Sequence, residues 1–408
     1  MSYSYKKPEG LHRFGLENYR DTYGFSVAEM DKAVADLPRT PDQIDLTHGD
    51  TRAFLPPASA LENFTRAVTD NSEAYSVYRG SATVRNLLAP RVSGLLGIDV
   101  NPSKNLIITP GTQGALFGAL SAFVGPGTIV AFPALEYFMN EKIVSYLGGE
   151  SIRVPAITRS DGYIEITEAD LELAHKSGAT VFVFSNPNNP TGGIYSQVMI
   201  EKMAKWAKKY EISVIVDQLY CRLIYDGRTY THFASLAGMN EQSITLMGPS
   251  KTESMSGYRV GIAVGPSTMI NSMETILSMT ALRTAGYSQH ALTGWLDEEP
   301  GWLEERTVLH QEIRDYLITG LGSIAGIHVR MPGGSSYIFP SLIDSKSING
   351  KDYANDFLFA QDLKSAGVLI SPGYQSGLSG KGHFRINFSQ HFDLIKKAVD
   401  TIDSLIQK

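Results

Sequence analysis

The chain has 408 residues, 43% hydrophobic and 19% charged, an ordinary globular balance in a chain too long for one compact core. A net charge of −6 without a block of like charges argues against a nucleic-acid or anionic-membrane surface, and the single cysteine, Cys221, excludes an intrachain disulfide or a cysteine-rich metal site. The N-terminal MSYSYKKPEGLHRFG lacks the apolar stretch of a signal peptide and no apolar run exceeds strand length, so the expectation is a cytoplasmic protein without nucleic-acid or membrane partners.

In chain order, GLHRFGLENYRD (10–21) reads as an amphipathic helix. From residue 105 onward, short apolar runs alternate with longer amphipathic ones. NLIITP (105–110) reads as a strand and GTQGALFGALSAFV (111–124) as a helix opening on glycine. TIVAFP (128–133) is a strand, and YFMNEKIVSYLGG (137–149) a helix stopped by two glycines. TVFVFSNP (180–187) is a strand, followed by the helix VMIEKMAKWAKKY (198–210) with apolar residues three and four apart. ISVIVDQLY (212–220), SITLMG (243–248) and RVGIAVG (259–265) complete the strands of this part. Strands alternating with helices predict an α/β fold, a mostly parallel sheet covered on both faces, with sites beyond the carboxyl ends of the strands. Residues before about 45 and after about 295 differ in character. Short strands there (IHVRMP, SYIFP, HFRINFS) predict a smaller α+β domain.

Four stretches at such strand ends carry candidate chemistry. Gly111, Thr112 and Gln113 follow a strand and open a helix, where backbone N–H groups suit an anion, although the same residues make a plain cap. SNPNNPTGG (185–193) is either an ordinary turn or a rigid loop presenting an asparagine. Asp217 ends an apolar run, as an N-cap or as a carboxylate awaiting a cation. Lys251 lies in GPSKTESMSGYRVG, either solvated or desolvated for Schiff-base chemistry, with Arg259 eight residues on.

Taken together, NPNNPTG, the strand-ending Asp217, SK…GYRVG and a late FRINF resemble the fold-type I, pyridoxal-phosphate-dependent aminotransferases of class I/II, the aspartate aminotransferase-like superfamily. The resemblance runs from about Asp45 to the C-terminus. It implies a seven-stranded-type sheet in a large cofactor-binding domain (46–294), an N-terminal segment shared with the small domain (1–45), and a small C-terminal domain (295–408). It further implies pyridoxal 5′-phosphate bound to Lys251 as a Schiff base, with the freed amine moving the substrate's proton. By the same resemblance Asp217 pairs with the pyridine nitrogen, and Asn189 and Tyr220 bond the ring's phenolate oxygen. Gly111, Thr112, Gln113, Ser250 and Arg259 hold the phosphate. Tyr137, rather than Leu135, stacks on the ring, its bland alternative being a core aromatic on a helix's first turn.

The resemblance makes Tyr75 the tyrosine that reaches a neighbouring subunit's phosphate, so a homodimer with shared sites is expected. Arg385 matches the arginine that grips the substrate α-carboxylate, and Asn189 stands beside it. Gly49 falls near that carboxylate in LTHGDT, a loop where Thr51 replaces the family's proline and His48 precedes the glycine. Arg283 lies near the place of a second, partner-borne arginine but is offset by one residue. An exposed helix end is its simpler reading. Glu17 or Asp21 would read a basic substrate if the N-terminal helix caps the site; a solvated helix is simpler. The activity implied is transfer of an amino group from an L-amino acid to a 2-oxo acid. An amino-acid oxidase, a lyase or a cyclase on the same scaffold is the alternative.

Overall fold

A computed structural model describes residues 9–13, 19–38, 40, 42–49, 53–342 and 352–407. Seven strands form the central sheet: β1 (Leu106–Thr109), β2 (Ile129–Pro133), β3 (Glu150–Val154), β4 (Ala179–Ser185), β5 (Ser213–Asp217), β6 (Ser243–Met247) and β7 (Gly261–Val264). Their order across the sheet is β1-β7-β6-β5-β4-β2-β3. Every neighbouring pair is parallel except those made by β7, which runs antiparallel to both β1 and β6. The near-continuous apolar runs follow from this topology, because helices on both faces leave the inner strands no solvent side. Residues of β1, β4 and β6 are almost all buried, whereas the edge strand β3 is mostly half-exposed.

The predicted elements from residue 105 to 265 are present with small shifts at their ends. The helix after β2 begins at Met139, so Tyr137 lies in the connection before it rather than on its first turn. β3 is the strand that pattern reading passed over. Its sequence ESIRV carries two charges in five residues, which an edge strand tolerates and a buried one does not. The helix Gln197–Lys209 shows the local logic well. Ser196 caps it by accepting from Met199 N, Met199, Ile200, Met203 and Trp206 face the sheet, and Lys208 and Lys209 close the last turn.

The C-terminal part builds a second core. Strand Tyr337–Ile338 pairs antiparallel with Phe384–Asn387, which also pairs with Ser371–Pro372. IHVRMP makes only a single bridge, His328 to Ser341, instead of the strand its composition suggests. Helices Trp302–Gly322 and Phe392–Gln407 cover this sheet, and Ile44, Leu46 and Phe54 pack into the same core. Tyr23, Val27 and Met30 join Phe357 and Tyr374 in an adjoining cluster. Chain from both ends therefore packs together beside the carboxyl edge of the large sheet.

Candidate active site

The carboxyl edge of the sheet gathers residues from several distant loops. β1 ends at Thr109, and Gly111 opens the following helix with φ +72, a conformation glycine adopts without steric cost. A Cβ at Gly111 would sit 2.5 Å from Arg259 Nη2, so the guanidinium lies against this backbone. Arg259 precedes β7 by two residues. Because β7 is antiparallel, its beginning rather than its end lies at this edge. Arg259 Nη1 donates to Ser256 O at 2.9 Å. Ser250 Oγ is buried and has no hydrogen-bond partner among the described residues. The first turn of a helix, a guanidinium and an unused hydroxyl together form a cradle for an anion such as a phosphate.

Beside the cradle is a cavity of about 290 Å³, walled by Asp217, Lys251, Tyr220, Tyr137, Asn189 and Arg385 among others. Asp217 is the last residue of β5, in register with Ser185 of β4 on one side and Leu246 of β6 on the other. Its Oδ1 accepts from Leu219 N at 3.0 Å. Burial raises its carboxyl to about 6, and that backbone hydrogen bond only partly offsets the rise. A cation placed beside Asp217 would restore its charge. Lys251, four residues past β6, supplies an amine to the same cavity. Tyr137 Oη donates to Gln113 Oε1 at 3.1 Å, so the loop after β2 and the helix after β1 share one wall.

Arg385 comes from the second domain. Its Nη1 donates to Asn189 Oδ1 at 2.8 Å, and its Nη2 donates to Ser371 Oγ at 3.1 Å and Thr47 O at 3.2 Å. Its Nε is buried without a partner among the described residues. A forked, partly unsatisfied guanidinium at a cavity wall suits a carboxylate.

Residues that the sequence reading passed over complete the wall. Tyr337 lies beneath the Arg385 guanidinium, 4.4 Å from ring centre to Cζ, and accepts from Tyr220 Oη at 2.8 Å. Phe138 and Thr47 also face the cavity. Glu136 is 3% exposed and accepts from Ser185 N at 2.8 Å, Tyr137 N at 2.8 Å, Asn188 Nδ2 at 3.3 Å and the Ser185 hydroxyl. Burial pushes Glu136 up to about 7 against these hydrogen bonds, and nearby Asp217 adds to the rise. The one available signal was a glutamate inside the otherwise apolar segment after β2.

Other sequence candidates lie elsewhere. The His48 side chain is 67% exposed, hydrogen-bonded to Thr47 Oγ1 at 3.0 Å and 3.7 Å from Asp45, while its neighbour Thr47 lines the cavity. Gly49 borders a separate small hollow that also touches Ser250 and Lys251. Tyr75 is 79% exposed and stacks 5.1 Å from Arg283, which also covers Tyr78 at 4.9 Å and donates to Ser76 O at 2.6 Å. Asp21 is exposed on the short helix Arg20–Tyr23; Glu17 and Thr51 lie outside the described residues. Among the described residues no group of three His, Cys, Asp or Glu could hold a metal, and no helix is long and apolar enough to cross a membrane.

Comparison with known proteins converges on the same chemistry. The family model for aminotransferase class I and II matches residues 41–402. A crystal structure of an aspartate aminotransferase from Rhodobacter sphaeroides superposes with a TM-score of 0.85 at 39% identity, over 94% of this chain and 99% of that one. Aromatic-amino-acid aminotransferase 2 of Thermococcus litoralis is 26% identical over 87% of this chain and 90% of its own length. The asparagine–oxo-acid transaminase of Streptococcus mutans is 25% identical over 87% and 89%. With its strand order, its anion cradle and a lysine and a carboxylate in one cavity, this chain belongs to the class I and II aminotransferase family and is an aminotransferase.

Proposed function

We propose that this chain moves the amino group of an L-amino acid to a 2-oxo acid with pyridoxal 5′-phosphate held at Lys251. The observation that carries this reading is the meeting of Lys251, Asp217 and Arg385 around one cavity, with an anion cradle at its side. The donor set fits the cofactor. Ser250 Oγ is an unused buried hydroxyl where a phosphate needs donors, Gly111 leaves room that any Cβ would fill, and Asp217 lacks the cation that a protonated pyridine would supply.

When bound, the cofactor supplies an electron sink for the pair released at the substrate Cα. Lys251 Nζ is the amine that would hold the cofactor covalently, and as a free amine it would move the proton released at the substrate Cα. Asp217 would keep the ring nitrogen protonated, and Asn189 and Tyr220 would serve the ring oxygen. Thr112, Gln113 and Arg259 would secure the phosphate, and Tyr137 would pack on the ring. Arg385 grips the α-carboxylate, its hydrogen bond to Asn189 setting the angle of the fork, and Gly49 and His48 belong to the loop beside it. That grip is independent of the substrate side chain, in keeping with similarity to transaminases named for aspartate, aromatic residues and asparagine alike.

The active unit in this reading is a homodimer. Tyr75, Val77, Met279 and Leu282 are 79%, 58%, 71% and 47% exposed, an apolar surface a second copy would cover, bringing Tyr75 to the partner's phosphate. The division into a 1–45 segment, a large domain to 294 and a small domain from 295 follows the separate apolar cores of the large sheet and of the C-terminal part, with Leu46, Phe54, Leu223 and Tyr225 of the large domain packing into the latter. A lone buried cysteine suits a reducing cytoplasm.

An absorbance titration of the purified enzyme with single amino acids, in air and without oxygen and with no 2-oxo acid present, tests the reading. One donor should bleach the yellow band stoichiometrically under both conditions, and a 2-oxo acid should restore it. A band that returns unaided while ammonia or peroxide accumulates would place the chain with lyases or oxidases instead. Lys251→Ala should lose both band and turnover.

A further inference from the structure

Tyr337 gives Arg385 and Tyr220 a second link, besides the Asn189 hydrogen bond, between the two ends of the site. It lies on the strand Tyr337–Ile338, in register with Asn387 of the neighbouring antiparallel strand, so Arg385 is its diagonal neighbour on the same face. The guanidinium covers its ring at 4.4 Å, close enough for a cation–π contact. At its far end the Tyr337 hydroxyl is 2.8 Å from that of Tyr220, with the two rings edge-on at 5.3 Å and 68°. Tyr220 belongs to the turn after β5, 117 positions away. Both rings are 4% exposed, so each hydroxyl must find its partners inside the site.

Two phenols that share one hydrogen bond have a direction. In the chain alone Tyr220 donates and Tyr337 accepts. A ring oxygen that needs a donor from Tyr220 reverses this: Tyr220 must turn its only proton toward the ring and accept from Tyr337 instead. How willing Tyr337 is to donate depends on the charges facing it. These are Arg385 on the adjacent strand, Lys251 after β6, Tyr220 after β5 and Tyr137 after β2. Burial opposes ionisation of Tyr337, but Arg385, Lys251 and the hydrogen bonds from Tyr220 and the Asn387 side chain outweigh it, so Tyr337 is the phenol of the pair that yields its proton first; burial holds Tyr220 well above the ordinary phenol range. A carboxylate on Arg385 would offset that part of the positive field and raise the Tyr337 phenol again.

We propose that Tyr337 is a positioning residue that couples occupation of Arg385 by the substrate carboxylate to the hydrogen bond Tyr220 gives the cofactor ring. The inference rests on the assignment above of Arg385 to the carboxylate and Tyr220 to the ring oxygen. Substrate binding then tunes the cofactor through two phenols, with no movement of the backbone.

A double-mutant cycle on the holoenzyme tests it, read from the pH midpoint of the cofactor's visible band rather than from turnover. Tyr337→Phe keeps the ring under Arg385 and removes the hydroxyl; Arg385→Gln removes the charge. Arg385→Gln should move the midpoint less in the Tyr337→Phe background than in the wild type, the difference reaching about 0.5 pH unit. A second cycle uses Tyr220→Phe, in whose background Tyr337→Phe should no longer shift the midpoint. Equal shifts in both backgrounds, or no shift from Arg385→Gln in the wild type, would overturn the coupling while leaving the cofactor assignment intact. A wild-type protein with no band at all would instead remove the assignment on which the coupling rests.

Discussion

Asn189 accepts from Arg385 at 2.8 Å although the two residues stand 196 positions apart, one on the loop after β4 and the other on a strand of the second domain. The bond lets the large domain set the orientation of the guanidinium proposed to grip the substrate carboxylate. Asn189→Ala frees one arm of the guanidinium while leaving its charge. A hydrogen bond to a charged group contributes about 1.5–3 kcal/mol, so KM for the amino donor should rise roughly 10- to 100-fold. Steady-state kinetics would reveal the change, and a KM within twofold of wild type would remove Asn189 from carboxylate binding. Arg385→Lys should raise KM further, because a lysine cannot form the fork.

Glu136 and Asp217 make the cofactor-free protein less stable as pH rises from mildly acid to neutral. Both carboxyls titrate higher in the fold than in an unfolded chain, Glu136 moving from 4.5 to about 7 and Asp217 from 3.8 to about 6. The folded state therefore binds more protons than the unfolded one between about pH 4 and 7. Their stabilisation is complete below pH 4 and is lost as pH rises through 6 and 7. A two-unit shift corresponds to about 3 kcal/mol for one group. Glu136→Gln should be less stable at every pH, since its amide nitrogen faces donors from Ser185 and Asn188. Its melting temperature should nevertheless fall less steeply between pH 5 and 8. Parallel melting curves for the two proteins would show that Glu136 is not the titrating group.

Gly111 carries two constraints at once, a left-handed φ and a guanidinium in van der Waals contact. Gly111→Ala should cost about 1–2 kcal/mol of stability and displace Arg259 from the cradle. Cofactor affinity, followed by absorbance or fluorescence, should fall about tenfold or more. An alanine variant that loads cofactor normally would show that Arg259 does not depend on this backbone.

Tyr75 tests the shared site by complementation. Under the proposed homodimer, Tyr75→Ala should damage the partner's site and Lys251→Ala its own. Mixed after partial unfolding, two poorly active variants should regain turnover, because one site in each hybrid then carries both native residues. If mixing restores nothing while light scattering reports a dimer, Tyr75 does not cross the interface.

The sequence alone determined the sheet domain and the identity of most groups around the cavity. Apolar runs such as TVFVF and SVIVD are strands because parallel strands bury both faces, and right-handed βα connections bring their carboxyl ends to one edge wherever the rest of the chain goes. Gly111, Asp217 and Lys251 could be picked out for that reason: each sits where a strand stops. Tertiary structure decided what no local pattern encodes. β3 is an edge strand whose charges hide its periodicity, and β7 must run antiparallel before Arg259 can reach Gly111. Glu136 read alone resembles any solvated glutamate, and its burial follows from donors contributed by Ser185 and Asn188 about fifty residues later. Tyr337 looked like one more aromatic in a strand until folding laid it between Arg385 and Tyr220. Local patterning depends on neighbours a few residues away, whereas hydrogen bonds at this site join residues as far as 117, 196 and 338 positions apart, so the fold had to bring them together before their chemistry existed.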